Sequence, residues 1–273
     1  MPEAALKAYV MGQSSEESNR LGVQDSLYAE HTEYLLRTAG VQEGMRVLDV
    51  GCGTGAVSLA LARIVGPDGH VTGVDMDPAV LAIARRNAAA LSTRNVAFEQ
   101  AVLPDVDLPE PVDAVVGRLI LIHVDDPVGV VKGLTRTLRR GGLVTFQDFN
   151  VSRLRAFPEV PLVAQCQKWI SAALTAGGRN PDMGEQLARV LRAAGLSEPG
   201  VACAVPTGGA DSAAVTLVAE SVNSLMPVIE RNDIADPREV GIDTLHTRLA
   251  KACLERQATI YLPDLVAAWA RAD

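Results

Sequence analysis

The stretch Val47-Leu48-Asp49-Val50-Gly51-Cys52-Gly53-Thr54-Gly55 constrains this chain more than any other. A short apolar run ends in three glycines at alternate positions. Val57, Leu59, Ala60, Leu61 and Ile64 then recur at helical spacing. This pattern predicts a buried parallel strand, a tight turn and a helix. Glycine has no Cβ, so the turn can adopt positive φ and a ligand can lie against bare backbone. The N–H groups that open the helix face that ligand, and a helix N-terminus favours negative charge. A nucleoside-type cofactor with an anionic group suits such a turn.

The run Gly69-His70-Val71-Thr72-Gly73-Val74-Asp75 reads as a second strand ending in an acid. An acid at that point can accept hydrogen bonds from both hydroxyls of a ribose. These residues leave two cofactors open, because Gly51-x-Gly53-x-x-Ala56 also fits the dinucleotide pattern G-x-G-x-x-G/A.

Further motifs narrow the choice. Val74-Asp75-Met76-Asp77-Pro78, Phe98-Glu99-Gln100-Ala101-Val102, Val112-Asp113-Ala114-Val115-Val116-Gly117-Arg118 and Leu138-Arg139-Arg140-Gly141-Gly142 follow the glycine turn in order. Together they resemble the ordered motifs of class I S-adenosylmethionine-dependent methyltransferases, over about 41–150. The resemblance implies S-adenosyl-L-methionine as cofactor. It places the methionine part by Asp49, Gly51, Gly53 and Gly55, the ribose on Asp75 and the adenine face on Met76. Many relatives carry Gly-Asp after the third strand; this chain has Ala101-Val102, so adenine contacts fall to backbone near Val102 and Leu103. The segment before the first strand often folds over the cofactor in such proteins, which makes Tyr9 a candidate facing the sulfonium or the substrate through its aromatic ring; the alternative is a residue that anchors a helix on the core.

Gly117-Arg118-Leu119 and then Leu121-Ile122-His123-Val124-Asp125-Asp126-Pro127 resemble the fourth-strand region of small-molecule methyltransferases. Arg118 is a candidate for holding the cofactor carboxylate bidentately. His123 is a candidate base, since imidazole titrates near neutrality; the alternative is a packing or capping histidine. Asp148, at the end of the fifth strand in Gln147-Asp148-Phe149-Asn150, is a candidate base or substrate anchor, with a cap or turn as the alternative.

The strand and helix patterns alternate, which predicts a doubly wound α/β sheet with right-handed crossovers. Strands are expected at 46–50, 70–74, 95–99, 112–117 and 142–148. Helices are expected at 55–65, 78–91 and 127–139, with a short piece near 120–124. Asp77-Pro78 and Asp126-Pro127 supply N-cap and first-turn signals. The expected fold is a Rossmann-like seven-stranded sheet with helices on both faces, an antiparallel last strand and helical cover insertions. The expected division is an N-terminal helical lid (1–40), a cofactor-binding core (41–150), a helical insertion (151–182), a core continuation (183–206), a helical cover (207–256) and a final strand and helix (257–273). Within these, a helix is expected over 183–196, a strand near 200–205 and helices over 213–229 and 237–256. Thr259-Ile260-Tyr261-Leu262 is expected as the antiparallel last strand, and 264–271 as a closing helix.

The net charge of −8 over 273 residues argues against nucleic acid or an anionic membrane as partner. Four scattered cysteines form no C-x-x-C pair, so neither a disulfide framework nor a metal site is expected. The N-terminus lacks the pattern of a signal peptide, and no membrane span is expected, which points to the cytoplasm. A small, fairly apolar molecule of natural-product type is the expected substrate. A homodimer through the cover helices is compatible with the pattern. An NAD(P)-dependent oxidoreductase would need a catalytic pair such as Tyr-x-x-x-Lys, and none occurs. A methyltransferase fold that binds the cofactor without transferring methyl stays open, because in-line transfer obliges no particular catalytic residue.

Overall fold

The computed structural model describes residues 15–273, with side chains from residue 20 onward. In chain order the elements are α1 (Ser15–Ala39), β1 (Arg46–Val50), α2 (Ala56–Val65), β2 (His70–Asp75), α3 (Pro78–Ala90), β3 (Val96–Gln100), β4 (Val112–Arg118), α4 (Pro127–Leu134) and β5 (Leu138–Asn150). They continue with β6 (Arg155–Phe157), α5 (Pro161–Ala176), α6 (Met183–Ala193), β7 (Gly200–Ala204), β8 (Thr207–Gly208), α7 (Ala213–Arg231), α8 (Pro237–Val240), α9 (Ile242–Glu255), β9 (Thr259–Tyr261) and β10 (Asp264–Arg271). A 3-10 turn, Leu121–His123, follows β4.

The chain forms two compact units. One comprises Ala29–Phe149, Met183–Ala204 and Leu265–Asp273. It holds a seven-stranded sheet in the order β3-β2-β1-β4-β5-β10-β7. β1 lies parallel to β2 and β4, and β4 parallel to β5, while β10 runs antiparallel to β7. Alternation along the central strands separates two apolar layers. Val47, Ala114, Val116 and Leu143 pack with Leu36 of α1 and Val57 and Leu61 of α2. Leu48, Val50, Val115, Val144 and Phe146 pack on the other side with Val130 and Leu134 of α4 and Leu187 and Leu191 of α6. The sheet is therefore buried on both faces, as parallel sheets require.

Helix starts follow the local chemistry. The Asp77 side chain accepts from the Ala79 N–H at 2.8 Å, with Pro78 in the first turn. Asp126 accepts from the Gly129 N–H at 2.8 Å, with Pro127 behind it. α4 ends at Leu134, earlier than its apolar pattern predicts. Thr135 and Thr137 turn their hydroxyls back onto the Lys132 and Leu134 carbonyls, each at 2.8 Å. Those bonds compete with helix continuation, and β5 starts directly afterwards.

The other unit includes 15–28 of α1 together with Asn150–Asp182 and Val205–Asp264. α5, α7 and α9 pack together there, beside a three-stranded antiparallel sheet in the order β6-β9-β8. Arg155 of β6 stacks over the Tyr261 ring of β9, 4.4 Å from its centroid. The expected single helix over 237–256 is two helices, because Gly241 adopts φ 53° and ends α8. Against the expectation of no membrane-length apolar stretch, α7 is long and apolar enough to cross a membrane. Val215, Val218, Val222, Leu225 and Ile229 of α7 are nevertheless buried inside this unit, as in a core helix.

The C-terminal expectations need correction. Thr259–Tyr261 joins the small sheet, and 264–271 is the strand β10, not a helix. Leu265-Val266-Ala267-Ala268 reads as helix because alanine favours helices. Its place in the interior of the sheet, with these four residues buried, overrides that preference. Trp269 is accommodated because its register partner is Gly200, where a Cβ would come within 2.5 Å of the indole.

Candidate active site

The candidate site is built at the carboxyl ends of β1, β2, β4 and β5, where open parallel sheets bind ligands. The turn after β1 carries Gly51, Gly53 and Gly55 at φ 66°, 53° and 87°. At Gly51 a Cβ would lie 2.6 Å from Ile120 Cδ1, so the site needs glycine for space as well as for conformation. Gly55 is the N-cap of α2 and has no side chain to close it. Burial first, and then the nearby Asp49 and Asp75, push the Cys52 thiol in this turn well up. It is therefore a neutral packing group.

Asp75 draws the two strand ends together. Its Oδ2 accepts from the Gly53 N–H at 2.9 Å and its Oδ1 from the Asp77 N–H at 3.1 Å. Each carboxylate oxygen has a second acceptor direction left, so the pair can still receive two vicinal hydroxyls. Met76 is 39% exposed, which places it on the surface of the site and not in the core. Val102 is exposed, whereas Leu103 is partly buried against the α4–α6 layer. Tyr9 lies outside the described residues.

Asp49 is buried beneath the glycine turn, and Ser58 Oγ donates to its Oδ2 at 2.5 Å. Burial raises its carboxyl from 3.8 to about 7, opposed by the Ser58 hydrogen bond and the Arg118 charge and reinforced by Asp75. Arg118 ends β4, and its Nη1 donates to Thr32 Oγ1 of α1 at 3.2 Å. By strand alternation Asp49, Val116, Arg118, Thr145 and Gln147 share one face of the sheet.

His123 and Asp148 sit at the next strand ends. His123 closes the 3-10 turn and is half-buried. Asp148 is fully buried; its Oδ2 accepts from the Ile122 N–H and its Oδ1 from the Phe149 N–H, both at 3.2 Å. Burial raises its carboxyl to about 7, while hydrogen bonds from the Ile122, Phe149 and Leu121 backbone oppose the rise. Asp148 thus braces the turn that carries His123, with a backbone N–H on each of its oxygens.

Three residues of this constellation carried no distinct sequence signal. Thr32 lies before the first strand, Ser58 is one helix position among many, and Ile120 looks like core. Gln147 could have been marked by its parity with Arg118 on paired strands. A cavity of about 450 Å³ between the β3–β4 connection and the end of α4 is lined by Pro104, Asp107, Glu110 and Arg136 among others. None of the strand-end residues above lines it.

A family model described as "Methyltransferase domain" matches residues 41–195, more than half of the chain. The chain belongs to this methyltransferase family. It is 38% identical over 120 residues to the ubiquinone biosynthesis O-methyltransferase of Alkalilimnicola ehrlichii, covering 43% of this chain and 47% of that protein. It is 32% identical over 153 residues to the aklanonic acid methyltransferase DauC of a Streptomyces species, covering 55% and 67% respectively. The chain spans about half the length of the first of these relatives. Among solved structures, the YcgJ protein of Bacillus subtilis aligns with a TM-score of 0.58 at 17% identity, covering 89% of this chain and 99% of that one. The (4+2) cyclase SpnF aligns at 0.53 and 22% identity, covering 87% and 80%. These two establish a shared fold. The methyltransferase motifs expected from sequence map onto the glycine turn, Asp75 and the β4 end described above. S-adenosylmethionine is the cofactor that goes with this family.

Proposed function

We propose that this protein transfers a methyl group from S-adenosylmethionine to a small, fairly apolar acceptor of specialised-metabolite type. The observation that carries the reading is the glycine turn clasped by Asp75, with the buried Asp49 and Arg118 beside it. Gly53, at φ 53° and with no described atom within 4 Å of where a Cβ would sit, leaves backbone bare where a ligand would lie, while the space at Gly51 is filled by Ile120.

In this reading Gly51, Gly53 and Gly55 accept the cofactor against the backbone, and Asp75 holds the ribose hydroxyls. Arg118 pairs with the carboxylate of the amino-acid end, and Asp49 faces its ammonium. A cation there would favour the ionised form of Asp49 and offset the burial that otherwise keeps it partly protonated. Met76, with backbone at Val102 and Leu103, lines the adenine side; Tyr9 belongs to the covering segment. When bound, the cofactor supplies an electrophilic methyl on a sulfonium. The chain's own work is to align the acceptor and exclude water, and alignment can contribute roughly 7–11 kcal/mol in favourable cases. In this reading His123 takes a proton from a hydroxyl or amine, and Asp148 braces the turn that carries it.

The acceptor class rests on the relatives. Ubiquinone biosynthesis, aklanonic acid and demethylmenaquinone appear in the names of proteins 31–38% identical to this chain. All fit a ring-bearing small molecule, and the net charge of −8 suits no polyanion. The cytoplasm is the compartment that fits free cysteines and this cofactor. Calorimetric titration with S-adenosylhomocysteine, beside NADH, tests the reading. Binding of the first alone is expected; binding of NADH alone would overturn it. With the cofactor settled, His123→Ala is expected to depress turnover and leave S-adenosylhomocysteine affinity unchanged.

A further inference from the structure

Gln147 is 1% exposed near the carboxyl end of β5, directly across from Arg118 in the β4–β5 register. Its Nε2 donates to the Thr32 carbonyl of α1 at 3.3 Å. That contact fixes which way the amide faces, since the reversed amide would set two oxygens against each other. Its Oε1 is buried and meets no donor among the described residues. Two residues back on the same face, the Thr145 hydroxyl is also buried without a partner among the described residues. Buried polar atoms of this kind are few in native proteins and cost stability unless something meets them. Replacing such a glutamine by a hydrocarbon side chain would relieve that cost, so its presence asks for a ligand.

The surroundings specify the ligand's chemistry. An amide oxygen needs a hydrogen-bond donor. Arg118 Nη1 and Gln147 Nε2 both reach Thr32, donating to its Oγ1 at 3.2 Å and its carbonyl at 3.3 Å, so that donor sits within a few ångströms of a group held by Arg118. A group bound to Arg118 is an anion. A donor joined through one carbon to a carboxylate is the α-ammonium of an amino acid. Asp49, on the same face and close enough to Arg118 for the two charges to interact, adds a second acceptor for it.

We propose that Gln147 Oε1 accepts a hydrogen from the α-ammonium at the amino-acid end of the cofactor, while Arg118 takes the carboxylate. The inference rests on the proposed function, and it adds a cofactor-binding residue on β5 that also ties α1 to the site through Thr32.

The test compares two ligands on two proteins. S-adenosylhomocysteine and its analogue with hydrogen in place of the α-amino group are titrated calorimetrically into the wild-type protein and Gln147→Leu. Thermal unfolding without ligand is measured beside them. Gln147→Leu is expected to weaken S-adenosylhomocysteine at least about tenfold, leave the desamino analogue unchanged, and keep or raise the melting temperature. Equal weakening of both ligands would make Gln147 only a brace for α1 and overturn the proposal. Unchanged affinity for both would mean that the oxygen is met by water, and would overturn it equally. Gln147→Met, of similar length and without hydrogen-bonding atoms, gives the same comparison if the leucine variant fails to fold. Failure of the wild-type protein to bind S-adenosylhomocysteine would overturn the proposed function itself, an outcome separate from the other two.

Discussion

Asp49 near the end of β1 and Asp148 near the end of β5 experience the same pressure and answer it differently. Burial lifts both carboxyls from 3.8 to about 7. Asp49 is met by the Ser58 hydroxyl, the neighbouring Arg118 charge and, more weakly, the Ser58 backbone N–H; the first two are side-chain groups that can turn when a ligand arrives. Asp148 is met by the backbone N–H groups of Leu121, Ile122 and Phe149. A hydroxyl or guanidinium partner can turn with a ligand, whereas the Ile122 and Phe149 N–H groups are held by the fold. The contrast predicts a ligand-facing β1 end and a scaffold role for the β5 carboxyl, although both read alike as strand-end acids.

The comparison can be broken most forcefully at Gly51. Gly51→Val combines a left-handed φ with a collision against Ile120. It is expected to lower stability by about 1–3 kcal/mol and to weaken S-adenosylhomocysteine more than about 100-fold by calorimetry. Retained affinity would show that the turn does not carry the ligand. Asp75→Ala comes next. Loss of two hydrogen bonds to a charged group, at about 1.5–3 kcal/mol each, is expected to cost about 100-fold in the same titration, and unchanged affinity would sink the ribose assignment.

Asp148→Ala tests the scaffold half. Buried N–H groups left unmet cost about 1–3 kcal/mol, read as a lower midpoint in urea, while S-adenosylhomocysteine affinity stays near wild type. The reverse result would make Asp148 a ligand group. The smallest effect is on pH. For an acid whose folded pKa of about 7 lies above the unfolded 3.8, the fold favours the protonated form. That stabilisation is fully present below about pH 4 and is lost as pH rises towards 7. Asp148→Asn is expected to remove this contribution, so its urea stability falls less than that of wild type between pH 4.5 and 7.5. Parallel curves would show that Asp148 titrates as an ordinary surface acid.

How much of this was legible in advance follows from the range of the forces involved. The β1–turn–α2 unit, Asp75, and the caps at Asp77 and Asp126 could be read because each is written within about ten residues, in apolar period, glycine spacing and side-chain-to-backbone reach. The residues to be drawn together at the strand ends followed from the rule that parallel sheets bind ligands there. β10 could not be read, because Leu265-Val266-Ala267-Ala268 is helix-prone alone and becomes strand only between β5 and β7. The separate sheet of β6, β9 and β8 likewise joins segments far apart in sequence. Sequence could name Asp148 as polar but not find the Ile122 N–H facing it. It passed over Gln147, whose significance is a buried oxygen with no hydrogen-bond donor among the described residues. Local backbone preference is a property of the residue. Burial, strand register and the partner of a hydrogen bond belong to pairs of residues, and only the tertiary structure decides which pairs exist.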